Sequence, residues 1–165
     1  MRMTVDSKHI KEVLCGQAVL RDVTILPICR RVSERILTFY KNGRKPGNIQ
    51  DDAWTWRPRF FNKDVDDVCN QVMDEGRDIL YVNPRIRDYM IGMANLYISS
   101  DGGCRHKGYS STGWLIRAVG PNEGGVTVTV LLARGGTHIT KNLPSYIVEL
   151  LAIDEVTNFL RSVTS

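Results

Sequence analysis

Several common signatures are missing from this 165-residue chain, and each absence excludes something. Cys15, Cys29, Cys69 and Cys104 show no CxxC or Cys/His metal spacing, which excludes cysteine-ligated metal sites. Their apolar or strand-end settings read as reduced, mostly buried thiols and not as a disulfide framework. No apolar run approaches the ~20 residues of a membrane-spanning helix. No signal-peptide core follows the opening Met-Arg-Met-Thr-Val-Asp, so the chain is expected to be soluble, intracellular and free of membrane partners. There is no short-period repeat and no low-complexity tract.

What is present fits one globular domain spanning 1–165. The chain is 42% hydrophobic and 24% charged, enough for a sizeable core. Its net charge of +4 makes a polyanionic partner plausible without identifying one. The charge is uneven. Between Leu26 and Ile49, Arg30, Arg31, Arg35, Lys41, Arg44 and Lys45 face a single acid, Glu34.

Along the chain, residues 2–5 read as a short strand and 7–17 as a helix, with Ile10, Val13 and Leu14 at helical spacing. Pro27 suits a first helical turn, and Ile28, Val32, Ile36, Leu37 and Phe39-Tyr40 mark an amphipathic face up to Lys41. Residues 42–52 are a loop and 53–57 a strand. Asn62 caps a helix to Met73, with Val65, Val68, Cys69 and Val72 on one side. Residues 76–93 form a linker whose apolar content predicts packing along the surface. Strands are expected at 94–100, 112–119 and 126–133, with turns at Gly102-Gly103 and at 121–125. A helix from Pro144 or Ser145 to about Ser162 completes the chain.

Four segments carry a family resemblance. Asp101-Gly102-Gly103-Cys104-Arg105 resembles the first-strand aspartate and glycine turn of ribonuclease H. Val148-Glu149-Leu150-Leu151-Ala152 resembles its Ala-Glu-Leu helix motif, and Val5-Asp6-Ser7 the Thr-Asp-Ser end of its fourth strand. Arg57-Pro58-Arg59-Phe60-Phe61-Asn62-Lys63-Asp64-Val65-Asp66 is similar to the last strand-to-helix junction of reverse-transcriptase-like and plant-type members. The last of these precedes the first in the chain. The resemblance therefore implies an α/β, ribonuclease H-like fold, a five-stranded mixed sheet flanked by helices, in circularly permuted order or cut from a tandem array. Residues 1–75 would be the family's C-terminal half, 76–93 a linker and 94–165 its N-terminal half. Moving the second block to the front yields three strands, helix, strand, two helices, strand, helix. In that order every parallel strand has a helical crossover.

The resemblance also implies a chemistry. Asp101, Glu149, Asp6 and Asp66 would hold two Mg²⁺ ions, with Mn²⁺ as a substitute, for in-line hydrolysis of the RNA strand of an RNA/DNA hybrid. Hard cations prefer oxygen ligands, which suits four carboxylates. Each acid also has a plain structural reading: Asp6 and Asp101 as turn or cap residues, Asp66 as a helix-dipole partner, Glu149 as a solvated helix position. The neighbouring acids Asp64, Asp67, Asp154 and Glu155 read as solvated. His9, His106 and His138 match no catalytic position. Gly102, Gly103, Cys104, Arg105 and Ser145 would meet the hybrid, although Ser145-Tyr146 stand where the family carries Asn-Asn or Thr-Asn. Arg30, Arg31 and Arg35 either contact phosphates or form an ordinary solvated helix face. Trp54 and Trp56 read as core and surface of their strand in preference to base-stacking platforms. The competing function is a non-catalytic ribonuclease H-like module within a larger assembly or tandem array.

Overall fold

The computed structural model describes residues 2–5, 14, 23–41, 54–56, 63–91, 95–105, 108–121 and 124–164. In chain order these form β1 (Arg2–Val5), a 3-10 turn (Val23–Ile25), α1 (Leu26–Lys41), β2 (Trp54–Trp56), α2 (Lys63–Glu75), β3 (Ile79–Val82) and α3 (Ile86–Ile91). There follow β4 (Asn95–Arg105), β5 (Tyr109–Pro121), β6 (Thr127–Gly136), β7 (His138–Ile139) and α4 (Ser145–Thr164). The expected helix at 7–17, apart from Leu14, and the loop at 42–52 lie outside the described residues, as do the side chains of Trp54 and Trp56.

The protein is mixed α/β. A mostly antiparallel sheet, flanked by helices, has the order β2-β1-β4-β5-β6-β3, and β7 pairs separately with β5. β1 lies parallel to both β2 and β4. The remaining pairs are antiparallel. Tight turns can connect the antiparallel β4, β5 and β6, whereas the parallel additions of β1 and β2 require long connections.

Strand alternation divides the core between two faces. Leu96, Ile98, Trp114, Ile116 and Ala118 point to one face. There they pack with Val32 and Ile36 of α1 and with Leu150, Ile153, Val156 and Leu160 of α4. Leu115 points to the opposite face and packs with Val65 and Val68 of α2. A bulge in the β5–β6 pairing, between Ile116 and Arg117, leaves Leu132 as an extra residue on β6. Leu132 and Ala133 then both join the α1/α4 core, while Leu131 packs toward α2.

Two expectations need correction. Residues 76–93 are more than a surface connector, and among the described residues the short strands β3 and β7 add to the five expected ones. Gly76, at φ 62°, ends α2 by donating its N–H to the Val72 carbonyl at 2.9 Å, a turn that favours glycine. The chain then re-enters the sheet as β3, antiparallel to β6, and Ile86 of α3 is buried in the main core. Gly102-Gly103 is not a turn either. β4 continues through both to Arg105, with Gly102 opposite Thr112 and Gly103 opposite Ser111. Packing outweighs the turn preference of the Asp-Gly pair: a β-carbon on Gly102 would stand 2.6 Å from the Glu149 backbone nitrogen.

Candidate carboxylate site

Asp101 sits within β4 and is 3% exposed. Its Oδ1 accepts the Gly102 N–H at 2.8 Å, and its carbonyl oxygen accepts the Cys69 thiol at 3.4 Å. Both bonds tie the residue to local backbone and to α2. Opposite it on β5 is Gly113, where a β-carbon would meet the Cys69 sulfur at 2.6 Å and the Val65 carbonyl at 3.2 Å. Glycine at 113 thus lets the first turns of α2 rest directly on the sheet beside Asp101.

Asp66 belongs to that segment of α2. It is half-buried, in the first turn, and its Oδ2 accepts a long hydrogen bond of 3.4 Å from the Asn70 amide. Glu149 approaches from the other side. Its backbone is pressed against Gly102 as part of α4, and its side chain is half-buried. Asp101 therefore lies between two helices on opposite faces of the sheet, one bringing Asp66 and the other Glu149. Asp6, which follows directly after β1, lies outside the described residues. Among the described residues, no group of three His, Cys, Asp or Glu side chains converges closely enough to hold a metal ion.

The residues expected to meet a nucleic acid are placed as follows. Gly103 faces α2, where a β-carbon would stand 2.7 Å from the terminal methyl of Met73. Cys104 is exposed, and its thiol donates to the Leu143 carbonyl at 3.2 Å. Arg105 pairs with Asp74 at 2.7 Å, and Ser145 is the exposed first residue of α4. Arg30 is exposed on α1. Arg31 and Arg35 instead converge on Asp154, at 3.0 and 2.7 Å. Arg35 also donates to the Asp154 carbonyl at 2.9 Å and to the Thr157 hydroxyl at 3.2 Å. These contacts join α1 to α4 and offset the charge that the basic helix would otherwise present.

Two neighbouring acids differ from their expected solvation. Asp154 is the ion-pair partner just described. Glu155 is largely buried and accepts the Thr112 hydroxyl at 2.6 Å, while Thr112 Oγ1 accepts the Thr137 N–H at 2.9 Å. Burial pushes the Glu155 carboxyl above the usual carboxylate range; hydrogen bonds from Thr112 and Thr137 offset part of the rise, and the charges of Asp78 and Asp154 add to it. The signal for this residue was present in the helical period. Glu155 comes three residues after Ala152 and seven after Val148, both fully buried. Asp64 and Asp67 are exposed as expected, with Asp64 bonded to Arg117 at 2.6 Å. His138 is half-buried beside Tyr109, with ring centroids 5.5 Å apart. Cys29 and Cys69 are buried cysteines, and Cys15 lies outside the described residues.

Comparison with known proteins finds no matching family model, no matching curated protein and no matching solved structure.

Proposed function

We propose that this protein is a ribonuclease H-like endonuclease in circularly permuted order, hydrolysing the RNA strand of RNA/DNA hybrids. The observation that carries this reading is the position of β1, parallel between β4 and β2, next to the antiparallel run β4-β5-β6. Started from β4, and setting aside the short β7, the described chain reads three antiparallel strands, α4, β1, α1, β2 and α2, with β3 and α3 leading back to β4. This is compatible with the cyclic order that the sequence motifs imply, whose helix at 7–17 falls outside the described residues apart from Leu14. The close approach of Gly102 to the Glu149 backbone supports it further.

In this reading Asp101 is the fixed point of the site. β5 pairs its backbone with Gly113 and the Cys69 thiol bonds its carbonyl, so its carboxylate is positioned before substrate arrives. Glu149 and Asp66 are carried by helices packed on the adjacent glycines. Asp6, the fourth carboxylate that the resemblance implies, comes directly after β1 in the sequence. The donor set is all carboxylate, which fits hard Mg²⁺ or Mn²⁺. When bound, such ions supply positive charge at the attacking and departing oxygens of an in-line displacement. Recognition of the hybrid would rest on helix geometry and 2′-hydroxyls rather than on sequence.

A labelled RNA/DNA hybrid incubated with Mg²⁺ tests the proposal, beside protein carrying Asp101→Asn. The expected result is RNA-strand cleavage by the unmodified protein, lost in the variant. The second reading, a non-catalytic module in a larger assembly, draws on the absence of a three-ligand cluster among the described residues and on the pairing of Arg31 and Arg35 with Asp154. Hybrid binding without cleavage would favour it.

A further inference from the structure

Tyr97 stands out among the large apolar side chains of β4. Leu96 and Ile98 on either side of it are 5% and 0% exposed, whereas Tyr97 is 42% exposed. Alternation puts Tyr97 on the same face of β4 as Asp101, four residues away. At about 3.3 Å per residue, roughly 13 Å separates the two along the strand. The face between them is open enough to leave Ser99 half-buried.

Tyr97 pairs across the sheet with Arg117 of β5. Arg117 is held by the Asp64 carboxylate at 2.6 Å, and that carboxylate is 71% exposed. An exposed ion pair of this kind contributes ~1 kcal/mol or less, so a better anion can displace it cheaply. The carboxylate occupies the position that a phosphate oxygen would take on the guanidinium.

We propose that Tyr97 and Arg117 form a platform for a nucleic-acid strand passing toward Asp101. Tyr97 stacks on a base, Arg117 takes a backbone phosphate, and Asp64 is the carboxylate that the phosphate displaces. An aromatic face beside a guanidinium group is a combination that binds nucleic-acid strands with little sequence preference. The proposal rests on the nuclease reading for its substrate and supplies positioning residues, not catalytic ones.

Single-turnover cleavage of a fluorescent RNA/DNA hybrid, titrated with protein, tests it alongside equilibrium binding of the same hybrid. Tyr97→Ala should raise the half-saturating protein concentration about tenfold, with little change in the rate at saturation. Tyr97→Phe, which keeps the ring, should stay within about twofold. Arg117→Gln should weaken binding and reduce its salt slope by about one ion. Asp64→Asn should tighten binding about two- to threefold, because the competing charge is gone. If the unmodified protein cuts the hybrid and Tyr97→Ala and Arg117→Gln leave half-saturation unchanged, the platform is wrong and the nuclease reading stands. If the protein binds without cutting, the nuclease reading fails, and a tenfold loss of binding in Tyr97→Ala still upholds the platform. No binding at all overturns both.

Discussion

Gly102 and Glu149 meet backbone to backbone. A β-carbon on Gly102 would lie 2.6 Å from the Glu149 nitrogen and 2.7 Å from the Val148 carbonyl carbon. These are main-chain atoms of a 20-residue helix, so no side-chain rotation can relieve the clash. Gly102→Ala should therefore push α4 from β4 and destabilise the fold by ~1–3 kcal/mol, several degrees in melting temperature for a chain of this size. Gly120→Ala is the control. Nothing lies within 4 Å of its β-carbon position, so its effect should stay within ~0.5 kcal/mol. Thermal unfolding of the two variants checks the contrast.

The two arginines on Asp154 should differ in cost. Arg35 is 14% exposed and donates three hydrogen bonds to α4, to the Asp154 carboxylate and carbonyl and to the Thr157 hydroxyl, whereas Arg31 is 48% exposed. Arg35→Ala should destabilise by roughly 2 kcal/mol or more, because it strips a partly buried carboxylate of its main partner. Arg31→Ala should cost under ~1 kcal/mol. Denaturant unfolding measures both. Hybrid binding should show the reverse emphasis: Arg30, exposed on α1, should carry more of the salt dependence than Arg35.

Glu155 should make stability depend on pH. Burial, the largest influence, raises its folded-state pKa above the unfolded value. The folded protein therefore holds that proton more tightly than the unfolded chain. The resulting stabilisation is complete below the ordinary carboxyl range and is lost as pH rises through the raised value. Glu155→Gln stays neutral throughout and can still accept the Thr112 hydroxyl. Its melting temperature relative to the unmodified protein should rise as pH climbs from the ordinary carboxyl range through the raised value. A difference that stays flat over that range would show that Glu155 titrates alike in both states.

Added Mg²⁺ should raise the melting temperature of the unmodified protein. At a free concentration near 100 times the dissociation constant the gain is ~2.7 kcal/mol. Asp101→Asn removes a carboxylate that is 3% exposed, so it should raise the metal-free melting temperature and remove most of the Mg²⁺ response. Asp66→Asn should keep hybrid binding and lose most cleavage. Intact cleavage in that variant would mean that Asp66 is not part of the site.

Much of this architecture was legible because it depends on short-range pattern. The apolar spacing of Val65, Val68, Cys69 and Val72 marks α2, and all four are buried. Val32 and Ile36 mark α1 in the same way. Periods of 3.6 and 2 residues are properties of neighbouring positions, so a linear chain displays them directly. The candidate acids Asp101, Glu149 and Asp66 were likewise chosen from local motifs.

What a linear chain does not display is which surfaces meet. Ile79–Val82 looks like part of a connector until β6, some fifty residues later, offers it an edge to pair with. Asp101-Gly102 has the local preference of a turn, but α4 pressing on Gly102 keeps it extended within β4. Asp154 and Glu155 are adjacent acids on one helix with different partners, arginines from α1 for the first and threonine hydroxyls and burial for the second. The amino-acid sequence by itself determined the helices, most strands and the candidate acids, because backbone preference and hydrophobic period act over a few residues. Only the tertiary structure decided the edge strand, the extended glycines and the partners of each charge, because those depend on contacts between segments far apart in the chain.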